Sequence, residues 1–387
     1  MAQFVFKTIS RTDIAGSVGG SQMLTAIDYD GPKQLLITGC PGSGKTTVNL
    51  MRAIRLRMLK KNILLLTYQV LLKISLKNIS NDELNNNIFT FHKWFYHKFK
   101  VLSMQSNTEE LIEAMKDWEG VDEVIIDEGQ DFEKKMYKCL LSKIPKLTVG
   151  ADNAQKIHEF GLSSNEIKEI LEQDGSVFQI NLQYNYRNTY EIYNFARYFL
   201  PFNERANNEF AIEKNPKGRG KKPTVFLVPN QDTQIAQLKI LLENAGDRNI
   251  AVLVYHKNEV DFFFNLINDI GIPCSKHHSD CKIAERNSIE NILVTTYKSA
   301  KGLEFEVVIM PNIQNAMNEH YMTPEHYYVS CTRAKEDLFL ILEGDSLPEI
   351  FNNFEKDSYI YNVTESMLRP LIIQKKVVIE IDDDLPF

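Results

Sequence analysis

The stretch GCPGSGKTT, residues 39–47, decides how the rest of the chain is read. It fits the pattern G-x-x-x-x-G-K-[ST] from Gly39 to Thr46. The flanking KQLLIT and VNLMRAIRLRML read as a short buried strand and an amphipathic helix. Glycines in such a turn let backbone N–H groups wrap phosphates at a helix N-terminus, where the partial positive charge of the helix adds to the attraction. A lysine at this position neutralises β- and γ-phosphate charge, and the next hydroxyl ligates magnesium. Gly39, Gly42, Gly44, Lys45, Thr46 and Thr47 are therefore expected to hold ATP, with Thr46 also on Mg2+.

Working outward, NILLLTYQVLLKISL is a second strand-helix unit, VDEVIIDEGQDF a third strand and KLTVGAD a fourth. Short apolar strands that alternate with helices and end on polar residues predict a parallel, helix-covered sheet with its ligand at the carboxyl ends. Asp127, at the end of an apolar strand, is placed to hold magnesium, and Glu128 beside it to polarise the attacking water. Gln155, after the next strand, is placed to sense the γ-phosphate or that water. A second set of strands, TVFLVP, NIAVLVYHK, NILVTTYKS, FEVVIMP and DLFLILE, predicts another α/β domain, with the boundary near residue 176.

The bulk properties fit this reading. The chain has 387 residues, 43% hydrophobic and 25% charged, enough for two or three domains. No apolar run approaches the ~18 residues a membrane span needs, and MAQFVFKTIS lacks a signal-peptide pattern. A cytoplasmic location and no membrane partner are expected. Five scattered cysteines make no disulfide framework. CSKHHSDC brings Cys274, His277, His278 and Cys281 together, but without the separated pairs of a zinc finger, and a polar loop explains it as well. A net charge of -7 argues against coating nucleic acid with the whole surface, while leaving room for a local basic groove. The basic RAIRLRMLKK, residues 52–61, is expected to be a solvated helix face, and KNPKGRGKK, residues 214–222, a flexible surface loop.

A phosphate-binding loop alone leaves kinases, GTPases, transporters and motors open, and the second half decides among them. NYRN offers Arg187, TTYKSAKGLEFEVV a charged strand-end loop, and YYVSCTRAKEDLFLI offers Arg333. An arginine delivered to the γ-phosphate from a second domain makes hydrolysis depend on domain closure.

Read in order, SQMLTAI, GCPGSGKTT, LLLTY, TFHKWF, DEGQD, GADNAQ, QYNYRN, TTYKSAKGLEF and YVSCTRA resemble the superfamily 1 helicases of the UvrD/Rep group, over residues 21 to 343. The fold this implies is two RecA-like P-loop NTPase domains, 1–176 and 177–370, each a mostly parallel sheet covered by helices, with a tail at 371–387. The function it implies is an ATP-dependent translocase or helicase moving 3′ to 5′ on single-stranded DNA. The resemblance also implies roles by position. Gln22 bonds adenine and Tyr186 stacks on it; Asp127 and Glu128 are metal ligand and catalytic base; Gln155, Arg187 and Arg333 surround the γ-phosphate; Glu304 lies near the ribose. Thr67, Phe91, His92, Lys298 and Ser299 fall where the family contacts the single strand, and aromatics interleaved with lysines suit that contact. Trp94, Phe95 and Phe99 are expected in the core.

This chain departs from the family in several places. Thr47 stands where an arginine is usual, Lys298 where a histidine is, Gly129 where an alanine is, and His158, Phe160 and Gly161 where an aromatic and an arginine follow the glutamine. About twenty residues separate FHKWFYHKF from VDEVIID and about a hundred separate NYRN from TTYKSAKG. The relatives' two inserted subdomains do not fit there, so strand separation is expected to be weak or partner-dependent. Two rival readings share the nucleotide site: an ATPase switch gated by nucleic acid, and a partner-recruiting module that keeps the ATPase fold.

The chain ends EIDDDLPF. An acidic terminus is commonly a solvated tail, but DDDLPF resembles the C-terminal tip of bacterial single-stranded-DNA-binding protein. That resemblance implies a partner-binding role for Phe387 as apolar anchor, Asp382, Asp383 and Asp384 as charge, and Pro386 as conformational restraint. The expected partners are single-stranded DNA, proteins that read that tip, and a nuclease, since no nuclease motif is present. DNA repair, plasmid or phage replication and antiviral defence all remain open.

Overall fold

The computed structural model describes residues 4, 9–80, 84–152, 160–202, 205, 215–281, 289–317 and 322–363. Two sheets form its frame. The first contains β1 (Gln34–Gly39), β2 (Ile63–Thr67), β3 (Ile88–Thr90), β4 (Glu123–Ile126), β5 (Leu147–Ala151) and β6 (Val177–Leu182) in the order β3-β2-β4-β5-β1-β6. The second contains β7 (Thr224–Val228), β8 (Ile250–Val254), β9 (Ser275–His277), β10 (Ile292–Thr296), β11 (Phe305–Met310), β12 (Ala334–Glu343) and β13 (Ile360–Val363) in the order β13-β7-β12-β11-β8-β10-β9. Every pairing in both sheets is parallel. Parallel strands are covered on both faces, which is why ILLLT and IAVLV are apolar and buried throughout. These are the two RecA-like α/β domains that the sequence predicts.

In the first sheet β4, β5 and β1 are neighbours, so their carboxyl ends gather Asp127, Asp152 and the loop after Gly39 in one place. This gathering positions the site.

The expected boundary at residue 176 is corrected. β6 pairs with β1 along its whole length, from Gln34↔Val177 to Gly39↔Leu182. Its alternate residues Phe178, Ile180 and Leu182 pack with Ile14, Met23, Ile37 and Val48 of the first domain. The chain crosses after Leu182, and helix Tyr190–Ala196 buries Ile192, Tyr193, Phe195 and Ala196 in the second domain's core. Within the crossing, the Asn188 amide donates to the carbonyls of Thr332 and Ala334 in the second domain.

Helix Val70–Ile79 ties the domains together from the other side. Leu71 packs in the second domain's core, and Leu72 and Leu76 pack in the first domain. Gly302 of the second domain lies against Leu72 so closely that a Cβ would fall 2.8 Å from Leu72 Cδ2, and its φ of +82° also favours glycine.

The basic helix segment after residue 52 is only partly a solvated face. Arg52 is fully buried, with Nε and Nη2 donating to Glu123 Oε1 and Oε2 at 2.7 and 2.9 Å and Nη1 donating to the carbonyls of Ala26 and Ile27 at 3.2 Å. The fork bonds both carboxylate oxygens while capping the end of a neighbouring helix. Around the cysteine-histidine cluster, Ser275–His277 forms edge strand β9 beside β10, and His278 Nε2 lies 3.3 Å from Asp261 Oδ1. Among the described residues, no helix is long and apolar enough to cross a membrane.

Arg52→Ala leaves Glu123 buried without its cation and should cost about 3–5 kcal/mol. Urea unfolding should show a lower midpoint at unchanged slope.

Candidate active site

β1 ends at Gly39 and helix Lys45–Met58 begins six residues later. Between them Gly42 and Gly44 take φ values of +74° and +91°, which turn the loop's N–H groups inward. The loop is clamped from the interdomain crossing. Tyr186 N donates to Gly42 O at 2.9 Å, and a Cβ on Gly42 would meet Asn185 Oδ1 at 2.5 Å and Arg187 Cβ at 2.6 Å. Lys45 Nζ is buried, donates to the carbonyls of Gly39 and Cys40 at 2.7 and 2.8 Å, and lies 3.3 Å from Asp152 Oδ2.

Asp127 and Glu128 follow β4 directly. Asn49, one helical turn beyond Thr46, donates from Nδ2 to Asp127 Oδ1 at 2.7 Å, and the Thr46 hydroxyl also bonds this carboxyl. Burial, then the charge of Glu128, pushes Asp127 up to about 6. Glu128 sits at φ +57°, an uncommon conformation for a residue with a side chain. Burial alone would raise its pKa, but the charges of Lys301, Lys45 and Arg333 hold it below the ordinary value. The Gln130 amide donates to Glu128 Oε2, and Gln130 Oε1 accepts from Asp152 N at 3.1 Å.

The facing wall comes from the crossing and the second domain. Arg187 Nε donates to Glu304 Oε2 at 3.0 Å, and Lys335 Nζ donates to Glu304 Oε1 at 2.7 Å. Burial opposes ionisation of Glu304, yet these two cations hold it at about 2. Arg333 is fully buried, with Nε donating to Val329 O at 2.8 Å; burial, then Arg187, pushes it down to about 9.

Between the walls lies a cavity of 680 Å³ that Gly42, Gly44, Lys45, Thr46, Thr47, Glu128, Tyr186, Arg187 and Glu304 all line. The volume falls in the ordinary range of small-ligand sites. Gln22 is not among the lining residues, while its neighbour Met23 is. Tyr186 is held by a bond from its hydroxyl to Val18 O. Gln155 lies outside the described residues, as do Asp382, Asp383, Asp384, Pro386 and Phe387.

Among the described residues, five buried polar atoms at the site have no hydrogen-bond partner: Ser43 Oγ and Arg187 Nη1, which can donate, and Asn49 Oδ1, Asp127 Oδ2 and Asp131 Oδ2, which accept, the carboxylates only accepting when ionised. Unpaired buried polar groups are costly and rare. A donor on the loop, Ser43, and one on the facing wall, Arg187, suit an oxyanion, and a spare carboxylate oxygen on Asp127 suits a divalent cation, so the residues present fit ATP with Mg2+.

The expected single-strand contacts are less uniform. Thr67 ends β2, buried, with Oγ1 unpartnered. The expectation that Phe91 contacts a strand is corrected, because its ring is fully buried with Phe95 and Phe132 at 5.6 and 5.7 Å. Trp94 and Phe95 join it in the core, and Phe99 packs against that core partly buried. His92 Nδ1 shares a hydrogen bond with Ser103 Oγ at 2.8 Å, and burial lowers its pKa. Phe160, 41% accessible, lies 5.9 Å from Tyr68, whose ring meets His92 edge-on at 5.4 Å, and Tyr96 on the same helix as Phe91 is also exposed. Lys298 is exposed, and Ser299 Oγ accepts from Thr296 Oγ1 at 2.9 Å.

Sequence reading missed Asn49, Asp131, Asp152, Lys301 and Lys335. Asn49 alone carried a local signal, its helical spacing from Thr46; the others are brought in by pairings between strands or domains.

A family model described as an AAA domain matches residues 24–161, and the UvrD-like helicase C-terminal domain matches residues 275–344. No curated protein matches the chain. Among solved structures, the C-terminal domain of a possible DNA helicase from Lactobacillus plantarum WCFS1 is 21% identical, with 46% of this chain and 98% of that chain covered and a TM-score of 0.36. The arterivirus nonstructural protein 10 helicase is 15% identical over 88% of this chain and 66% of that one, with a TM-score of 0.42. Its complex with DNA gives 13% identity, the same coverage and a TM-score of 0.41.

Gly42→Ala forces a side chain into a left-handed position already filled by Asn185 and Arg187. Titration with a fluorescent ATP analogue should show at least about tenfold weaker binding, or 1.4 kcal/mol.

Proposed function

We propose that this chain, a UvrD-like helicase in its two-domain make-up, hydrolyses ATP between its two sheets and uses the cycle to move 3′ to 5′ along single-stranded DNA. The observation that carries this reading is the split origin of the cavity lining: Lys45, Thr46 and Glu128 come from the first domain, and Glu304 and Lys335 from the second, with Asp127 and Arg333 buried behind them. A reaction that needs both walls is coupled to their relative position.

Substrate phosphates would displace the carbonyls that Lys45 now bonds and take up Ser43 Oγ and Arg187 Nη1. Thr46 and Asp127 would hold magnesium, which supplies charge neutralisation at the phosphates. Glu128 accepts the proton of the attacking water. The cations around it keep it ionised, and Gln130 donates to it from the same turn. Arg187 and Arg333 meet the charge that grows on the γ-phosphate, a contribution worth about 10³–10⁵ in rate where a single such arginine has been removed. Glu304 holds Arg187 and Lys335 in register along the same wall.

Steady-state ATP hydrolysis with and without single-stranded DNA tests the motor site. Turnover should rise with DNA, and Glu128→Gln should lower it about 10²–10⁴-fold while analogue binding persists. Displacement of streptavidin from the 5′ end of a biotinylated strand, and not from the 3′ end, tests direction. Turnover without displacement would favour the switch reading instead. Duplex separation should lag behind displacement, because among the described residues no inserted subdomain is present to grip a fork.

We also propose that the tip from Asp382 to Phe387 recruits, or competes for, proteins that bind the tip of bacterial single-stranded-DNA-binding protein. Removing Phe387 should abolish their capture in a pull-down; undiminished capture overturns this role.

A further inference from the structure

Lys301 of the second domain reaches into the first. Its Nζ is fully buried, 2.6 Å from Asp131 Oδ1 and 3.8 Å from Glu128 Oε2, both on the turn that follows β4. A lysine stripped of water this completely is stabilised only by close partners of opposite charge. The loop that carries it is anchored on both sides: Tyr297, Ala300 and Leu303 pack in the second domain's core with Leu71, and Gly302 presses on Leu72.

The turn that receives Lys301 is closed by hydrogen bonds within the first domain, while its carboxylates are met from the second. Asp131 N donates to Glu128 O at 3.0 Å, closing a tight loop, and the Tyr137 hydroxyl donates to Gly129 O at 2.7 Å. From there contacts run on without a gap: Glu128 to Gln130, Gln130 to Asp152, Asp152 to Lys45. Lys301 thus stands at one end of a line of polar contacts whose other end is the phosphate-binding lysine. It does not line the cavity itself.

We propose that Lys301 is a positioning residue: by seating on Asp131 and Glu128 it aims the Glu128 carboxylate, so that the base is correctly set only while the second domain is docked. This rests on the ATPase reading above and adds the part that makes hydrolysis conditional. When the domains separate, the ammonium leaves with its own domain and the turn loses its brace. The arginines act on the substrate; Lys301 acts on the base.

The test compares wild type, Lys301→Met, Asp131→Asn and the double variant in the full chain, reading kcat and KM for ATP with Mg2+ and the thermal midpoint. Lys301→Met should lower kcat about 100-fold, the loss expected of a misplaced group, with KM within about threefold. It should also lower the midpoint, because Asp131 is left buried and unpaired. In the double variant the midpoint should recover and kcat should not. A kcat that recovers with stability, or one unchanged in Lys301→Met, overturns the role. Wild type that turns over ATP but ignores DNA overturns only the nucleic-acid part of the function, since basal kcat still reads Lys301. Wild type with no turnover overturns both.

Discussion

Charge that cannot reach water governs the meeting of the two sheets. Lys45, Asp127, Glu128, Asp131, Asp152, Lys301 and Arg333 are all buried there, and the acids and bases do not all come from the same domain. Each would be destabilising alone, so each requires the others in place. The cleft is consequently specific about its geometry: one docking of the domains satisfies these groups, and a sliding or tilted one strands some of them. Apolar contact through Leu71 holds the domains near; the buried charges fix how they sit.

Local features of the sequence located the candidate site well. The loop at residues 39–47 and the acids at 127 and 128 are short motifs whose function follows from neighbours in the chain, and the structure brings them together at the ends of β1 and β4. Properties set by distant pairing were not readable in this way. The strand at 177–182 has the alternation of any half-covered strand, and nothing within it says which sheet it completes. Arg52 looks like its neighbours Arg55 and Arg57 until Glu123 is placed opposite it. Phe91 sits in a run of aromatics that suits stacking on bases equally well as stacking on Phe95. Lys301 was hidden for the same reason, since its partner lies 170 residues earlier.

The economy of the chain shapes its function. Only helix Thr108–Ala114 and short connections lie between the helix ending at Phe99 and β4, so the first domain is a bare nucleotide-binding unit. Exposed Phe160, beside Tyr68 and His92, offers an aromatic surface that buried Phe91 does not.

The crossing between domains has a mechanical consequence. Its residues hold the phosphate loop through Tyr186, reach the cavity through Arg187 and hold the second domain through Asn188. The fulcrum and the point where force is applied are therefore adjacent residues. In the proposed cycle, a shift of atomic size at Arg187 would act close to the pivot and become a larger displacement at the second sheet's far edge.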